Sequence, residues 1–315
     1  MTKRLRILTW HIHGNYLYYL SQVPHDFLLP TDAQRSPGYA GRAGTLPWGA
    51  NVTEVPVEQV REASFDCVLY QSRSAWERDR FNLLSEAQRK LPRIFLEHDP
   101  PQAHPTDTRH IVDDPDAMLV HVTAFNDLMW DSGRTPTTVI EHGVKPLSAA
   151  RYSGEIERGI VVVNNLSRRG RRLGADVFHR VREQVPLDLV GMDAERAGGL
   201  GEIGNVALAA HIARYRFFFN PIRWTSLGLA VIEAMMIGLP IVGLATTEMS
   251  TVVRNGESGW VDTRIDMLVE RMQALLADPA EARRLGDNAR RDAIERFNID
   301  RFAAEWSRLL LEVCA

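Results

Sequence analysis

Cysteine is almost missing from this chain of 315 residues, which holds two: Cys67 and Cys314. They lie far apart with no CxxC spacing, which excludes a disulfide scaffold and a thiolate metal site. The expectation is two reduced thiols at opposite ends of the molecule. Long apolar runs are missing as well. The opening MTKRLRILTW gives way at once to His11, His13 and Asn15, too short for a signal peptide or a membrane helix. A cytoplasmic protein is expected, at most in peripheral contact with a membrane. Nor is there an excess of one charge: 37 Lys and Arg stand against 40 Asp and Glu, a formal net charge of -3. Nothing here calls for a nucleic-acid partner. What is present is globular in type, with 45% hydrophobic and 24% charged residues and length enough for two medium-sized domains.

Short apolar runs alternate with helix-length amphipathic segments, the pattern of a parallel α/β architecture. In the first half, strands are expected at Leu5–Trp10, Asp26–Leu29, Cys67–Gln71, Arg93–Glu97, Ala117–Val122 and Thr138–Glu141. Helices are expected at Tyr16–Gln22, Ala75–Lys90 and Ala124–Asp131, and residues 36–50, rich in Gly and Pro, form a long loop. In the second half, strands are expected at Gly159–Asn164, Leu187–Val190, Arg216–Phe219, Pro240–Leu244 and Gly259–Val261. Helices follow at Ala175–Gln184, Leu227–Ile237, Ile265–Leu276, Ala280–Phe297 and Asp300–Val313. The join falls near His142-Gly143-Val144-Lys145-Pro146. The reading is two Rossmann-like domains facing across a cleft, with ligands beyond the carboxyl ends of the strands.

The segment Asn220-Pro-Ile-Arg-Trp-Thr-Ser-Leu-Gly-Leu-Ala-Val-Ile-Glu-Ala-Met-Met-Ile-Gly238 stands out. Pro221 closes a strand, Thr225 or Ser226 is a natural N-cap, and Gly238 ends the helix. Nearly every residue from Leu227 to Ile237 is apolar, so the helix packs on most of its circumference. Glu233 is the exception, since a carboxylate there costs several kcal/mol unless it is partnered. As a continuous helix, the stretch separates Thr225 from Glu233 by roughly 12 Å on one face. A nucleoside-diphosphate sugar laid along that face would meet the helix N-terminus with its phosphates and Glu233 with its ribose diol. Gly228 would allow the backbone to approach closely.

This stretch resembles the donor-binding signature of glycosyltransferase family 4 (group 1), retaining enzymes of the GT-B fold. Ser226-Leu-Gly-Leu229, Glu233-Ala-Met235, Gly238-Leu-Pro-Ile-Val242 and Val252-Val253-Arg-Asn-Gly256-Glu-Ser-Gly259 match it in order and spacing. The resemblance implies donor contacts from Thr225, Ser226, Leu227, Gly228 and Leu229, with Glu233 on the ribose. Two positions depart from the family: its first Glu is Thr225 here, and the Glu after the next strand is Thr251. The resemblance also implies arginines that neutralise the leaving diphosphate. The family's usual Arg is Asn165 here, so the task would pass to Arg169, Arg171 or Arg172. His98 matches a family His near the sugar and the acceptor. Gly14 lies in a loop expected under the diphosphate, and Gly191 is placed among the donor contacts. The implied domains are 1–148 on the acceptor side, 149–297 for the nucleotide sugar, and 298–315 as a helix packing back on the first. No metal or other cofactor is expected: His11 and His13 lack a third ligand, and Asp113, Asp114 and Asp116 read as an exposed acidic turn.

The partners implied are a nucleotide-sugar donor and a glycan, lipid-linked or small-molecule acceptor, as in surface polysaccharide or lipopolysaccharide synthesis. Two alternatives remain open. One is a catalytically impaired GT-B protein that binds a nucleotide sugar without transferring it, since the first Glu is missing. The other is a nucleotide-sugar epimerase on the same fold, which needs acid/base carboxylates that the sequence does not identify.

Overall fold

The computed structural model describes residues 3–145 and 149–315, so the boundary expected at residue 148 falls outside the described residues. The chain divides into two compact units, one of 1–143 with 299–315, the other Val144–Asn298.

The first unit is built on β1 (Arg6–Thr9), β2 (Asp26–Thr31), β3 (Val52–Pro56), β4 (Cys67–Tyr70), β5 (Arg93–Glu97), β6 (Ala117–His121) and β7 (Thr137–Val139). They pair in parallel in the order β3-β2-β1-β4-β5-β6-β7. Every residue of Cys67–Tyr70 is buried, the mark of a strand covered on both faces. The strand order reverses between β1 and β4. β3 lies outside the expected strands because it carries Glu54 and ends in Pro56, which only an edge strand tolerates. The segment expected as one helix from Ala75 to Lys90 is broken at Leu84, and Ser85 and Gln88 start a new turn through a reciprocal capping box.

The helix Ile299–Val313 completes this unit, with Phe302, Trp306, Leu309 and Leu310 buried. Trp306 Nε1 donates to the Tyr16 hydroxyl at 3.3 Å, and a Cβ at Gly143 would stand 2.2 Å from Phe302 Cβ. The two cysteines do not lie apart. The Cys67 and Cys314 thiols are neighbours, and Cys314 Sγ donates to the Asp66 carbonyl at 4.0 Å, because β4 begins where this last helix ends.

The second unit holds β8 (Ile156–Val162), β9 (Leu187–Val190), β10 (Tyr215–Asn220), β11 (Ile241–Leu244) and β12 (Gly259–Asp262). All pair in parallel in the order β12-β11-β10-β8-β9, with the reversal between β8 and β10. The helix Leu229–Ile237 lies on this sheet and ends at Gly238, whose φ of 103° suits glycine. It is held by the helix Pro279–Arg296, started by Asp278, whose side chain accepts from the N–H groups of Ala280 and Glu281. A Cβ on Gly286 would stand 2.0 Å from the Gly238 carbonyl oxygen, so glycine there permits close contact between the two elements.

Candidate functional site

Ligands of open parallel sheets gather where the strand order reverses, beyond the carboxyl ends. In the second unit that point lies between the loops after β8 and β10. The loop after β8 turns at Asn165, which sits in the left-handed region with φ 56°. Its N–H donates to the Met192 carbonyl at 2.7 Å, and Asn164 Oδ1 accepts the Met192 N–H at 2.8 Å. Gly191 has φ 140°, and a Cβ there would stand 2.6 Å from the Val163 carbonyl oxygen. Gly191 therefore serves the packing of two loops and faces protein backbone.

The loop after β10 is tied to the arginine-rich turn. The Arg172 carbonyl accepts the N–H groups of Arg223 and Trp224 at 3.0 and 3.1 Å. The Arg223 guanidinium grips both oxygens of Asp176 at 2.5 and 2.7 Å. Arg171 is drawn to the same carboxylate at 2.7 Å. The carboxyl stands below the usual Asp range, chiefly through the hydrogen bond from Arg223. Arg223 was not singled out in the sequence, where a lone Arg in an apolar stretch carries no spacing signal. Arg169 and Arg172 lie in the same basic turn, partly buried.

The helix itself starts later than its apolar run. Its first residue is Leu229 and its N-cap position is Gly228, with no side-chain cap. Thr225 and Ser226 precede the helix and do not cap it, so their 12 Å alignment with Glu233 on one helical face does not hold. Gly228 is in extended geometry, with φ -71°. No atom lies within 4 Å of where its Cβ would be, so it faces open space with no close protein backbone. A helix N-terminus without a side-chain cap keeps N–H donors available for an anion. Glu233, partly buried, lies five residues beyond Gly228, roughly 7.5 Å along the axis. Ser226 and Leu227 are buried and Leu229 is partly exposed.

After β11, the buried carboxylate is Glu248. Its Oε1 accepts from the Thr251 hydroxyl at 2.6 Å and pairs with Arg296 at 3.3 Å. Thr251, in the position of the family's Glu, is thus a partner of a carboxylate three residues earlier. A displaced side chain of this kind cannot be found by motif spacing.

In the first unit the reversal lies between β1 and β4, and the residues beyond those strands gather at His98. The His98 ring lies 4.3 Å from that of His13 and 4.8 Å from that of Tyr16, both edge-on. Burial first, then the neighbouring His13 and His142, hold His98 well below the ordinary imidazole range. Its Nε2 lies 3.0 Å from Gln71 Oε1. His11 turns elsewhere: its Nδ1 bonds the Gly41 carbonyl and its ring meets Trp48, pinning the 36–50 loop. A Cβ on Gly14 would press on His11 Nε2 at 3.2 Å. Asp113 and Asp114 are engaged by Arg134, Arg109 and Arg93. Among the described residues no group of three or more His, Cys, Asp or Glu is placed to hold a metal. No helix of the described residues is long and apolar enough to cross a membrane.

Residues 157–278 match the family described as Glycosyl transferases group 1. A curated relative, MMP alpha-(1->4)-mannosyltransferase of Mycolicibacterium hassiacum, is 37% identical over 215 residues, covering 61% of this chain and 52% of that protein. Sucrose synthase of Denitrovibrio acetiphilus is 30% identical over 129 residues, 39% of this chain and 16% of the relative. The chain thus spans about half the length, or less, of these curated relatives. Among solved structures, sucrose-phosphate synthase from Thermosynechococcus elongatus superposes with a TM-score of 0.71 at 18% identity, over 98% of this chain and 99% of that one. Anabaena HepE in complex with UDP-glucose gives a TM-score of 0.70 at 14% identity, over 98% of this chain and 100% of the other.

Proposed function

We propose that this chain, whose residues 157–278 belong to the group 1 glycosyl transferases within a GT-B fold, moves a sugar from a nucleoside diphosphate to an acceptor hydroxyl. The observation that carries the reading is the helix Leu229–Ile237, which starts without a side-chain cap at Gly228 and carries Glu233 in its second turn. The donor's diphosphate would take the N–H groups around Gly228 and Leu229. Its ribose diol would donate to Glu233. Arg169, Arg171 and Arg172, on the turn bonded to the loop after β10, would neutralise the departing diphosphate.

In this reading the bond from the sugar's anomeric carbon to the diphosphate oxygen breaks. A bond to the acceptor oxygen forms on the same face, with retention and without a metal. The acceptor's proton passes to the leaving phosphate oxygen. A relative named as a mannosyltransferase and a structural neighbour holding UDP-glucose support a nucleotide-sugar donor. The acceptor would be a glycan, a lipid-linked or a small-molecule hydroxyl. A second reading, donor binding without transfer, is favoured by Thr251, which stands where the family has a Glu and whose hydroxyl is spent on Glu248.

A panel of UDP, GDP, ADP and their sugars, followed by the release of free nucleoside diphosphate, tests both readings. Binding with release to an acceptor, or slowly to water, supports transfer. Binding without release under any acceptor supports the second reading, and no binding overturns both.

A further inference from the structure

Gln71 stands at the strand-order reversal of the first unit, one residue beyond β4, and is 4% exposed. Its amide has one orientation. The Nε2 donates to the Trp10 carbonyl at 3.2 Å and to the Thr9 hydroxyl oxygen at 2.8 Å. A backbone carbonyl can only accept, so the nitrogen must face it. The other amide atom, Oε1, is therefore the one that meets His98 Nε2 at 3.0 Å. An amide oxygen can only accept in turn, so His98 Nε2 must carry the proton.

A neutral imidazole with a proton on Nε2 has a lone pair on Nδ1. Burial and the two neighbouring histidines favour that neutral form. No hydrogen bond to Nδ1 is found among the described residues, and His98 as a whole residue is only partly buried. Such a nitrogen takes a hydrogen bond from a hydroxyl and repels a phosphate oxygen.

We propose that Gln71 is a positioning residue: it fixes His98 as the Nε2–H tautomer, so that Nδ1 accepts from a ligand hydroxyl. The ligand half of this rests on the glycosyl-transfer reading; the tautomer does not. Thr9 and the Trp10 carbonyl complete the device, since they hold the amide that holds the ring. The chain of contacts runs from β1 through β4 to the residue that follows β5, so the sheet itself sets the ring's tautomer.

The test is nitrogen-15 NMR of the histidine ring at neutral pH, on the full chain. The wild type should show His98 Nε2 protonated and Nδ1 bare. Gln71→Met removes the acceptor, and the Nδ1-protonated tautomer should gain about tenfold, the worth of one hydrogen bond. Gln71→Glu keeps an acceptor there and should retain the Nε2 proton. A wild-type ring protonated on Nδ1 alone overturns the inference even if a variant fails to fold. So does an unchanged spectrum in folded Gln71→Met.

Two donors, UDP-glucose and GDP-mannose, then separate the sources of the hydroxyl. If the donor sugar supplies it, Gln71→Met weakens binding of the nucleotide sugar about tenfold and leaves the bare nucleoside diphosphate unchanged. If the acceptor supplies it, both bind as before and hydrolysis, with water as acceptor, slows by a similar factor. A shifted tautomer with neither change overturns the positioning role. Failure of the wild type to bind any nucleotide sugar overturns the transferase reading and leaves the tautomer standing.

Discussion

Gly174 and Pro221 touch so closely that a Cβ on Gly174 would lie 1.9 Å from the Pro221 carbonyl oxygen. Gly174 also holds φ 79°, in the left-handed region. The contact joins the end of the arginine-rich turn to the loop after β10, and no larger residue leaves both in place. Gly174→Ala should destabilise the second unit by about 2–4 kcal/mol, strain and displaced backbone together. Thermal melts measure the loss. Nucleotide affinity should fall with it, because the loop leading to Gly228 must move.

Acid should act on the same loop through Asp176. Its carboxyl is depressed in the folded protein, first by the Arg223 hydrogen bond. The stability it contributes is fully present above the ordinary Asp value of about 3.9. It is lost as pH falls through the lower folded value. Arg223→Leu should cost on the order of 1 kcal/mol at pH 7, given that Asp176 is 40% exposed. The gap from wild type should narrow as pH falls below the ordinary Asp value and through the depressed folded one, where the carboxylate takes up its proton. Melting temperature against pH for the two proteins checks this; a gap constant down to pH 2 counts against the pairing.

A second pH window lies higher and belongs to His121. The ring is fully buried and pushed down to about 4, mainly by burial, with Asp127 opposing and His110 adding to the shift. Between about 6.5 and about 4 the unfolded chain holds this proton and the folded chain does not. Stability should therefore fall as pH drops across that range. His121→Leu should flatten part of the slope. His98, His25 and His211, also lowered, keep the rest. A slope identical to wild type would show that His121 titrates normally.

The alternation of strands and helices was legible because the central strands are largely apolar and buried on both faces, as at Cys67–Tyr70 and Phe217–Phe219. What escaped the sequence is what tertiary contact decides. β3 hides behind Glu54, whose carboxylate binds Arg35 at 2.9 Å, and Pro56. The helix of Glu233 looks two residues longer than it is, since Leu227 is apolar for packing and not for helix. Of the candidate residues, Asn165, Arg171, Arg172, Gly191 and the 225–229 loop fall together around the reversal point of the second sheet. Gly14 and His98 gather in the first unit. Arg223, Glu248 and Gln71 carry no motif; each is defined by a partner distant in sequence: Asp176, Arg296 and His98.

Binding of UDP, GDP and ADP, each with and without its sugar, to the wild type and to Glu233→Gln is the most direct test of the donor site. Calorimetry on both, with melts to confirm folding, measures it. One nucleoside diphosphate should bind the wild type, and Glu233→Gln should lose at least about tenfold in affinity, the worth of a hydrogen-bonded carboxylate. Equal affinity in the two folded proteins would contradict the placement of the donor's ribose on Glu233.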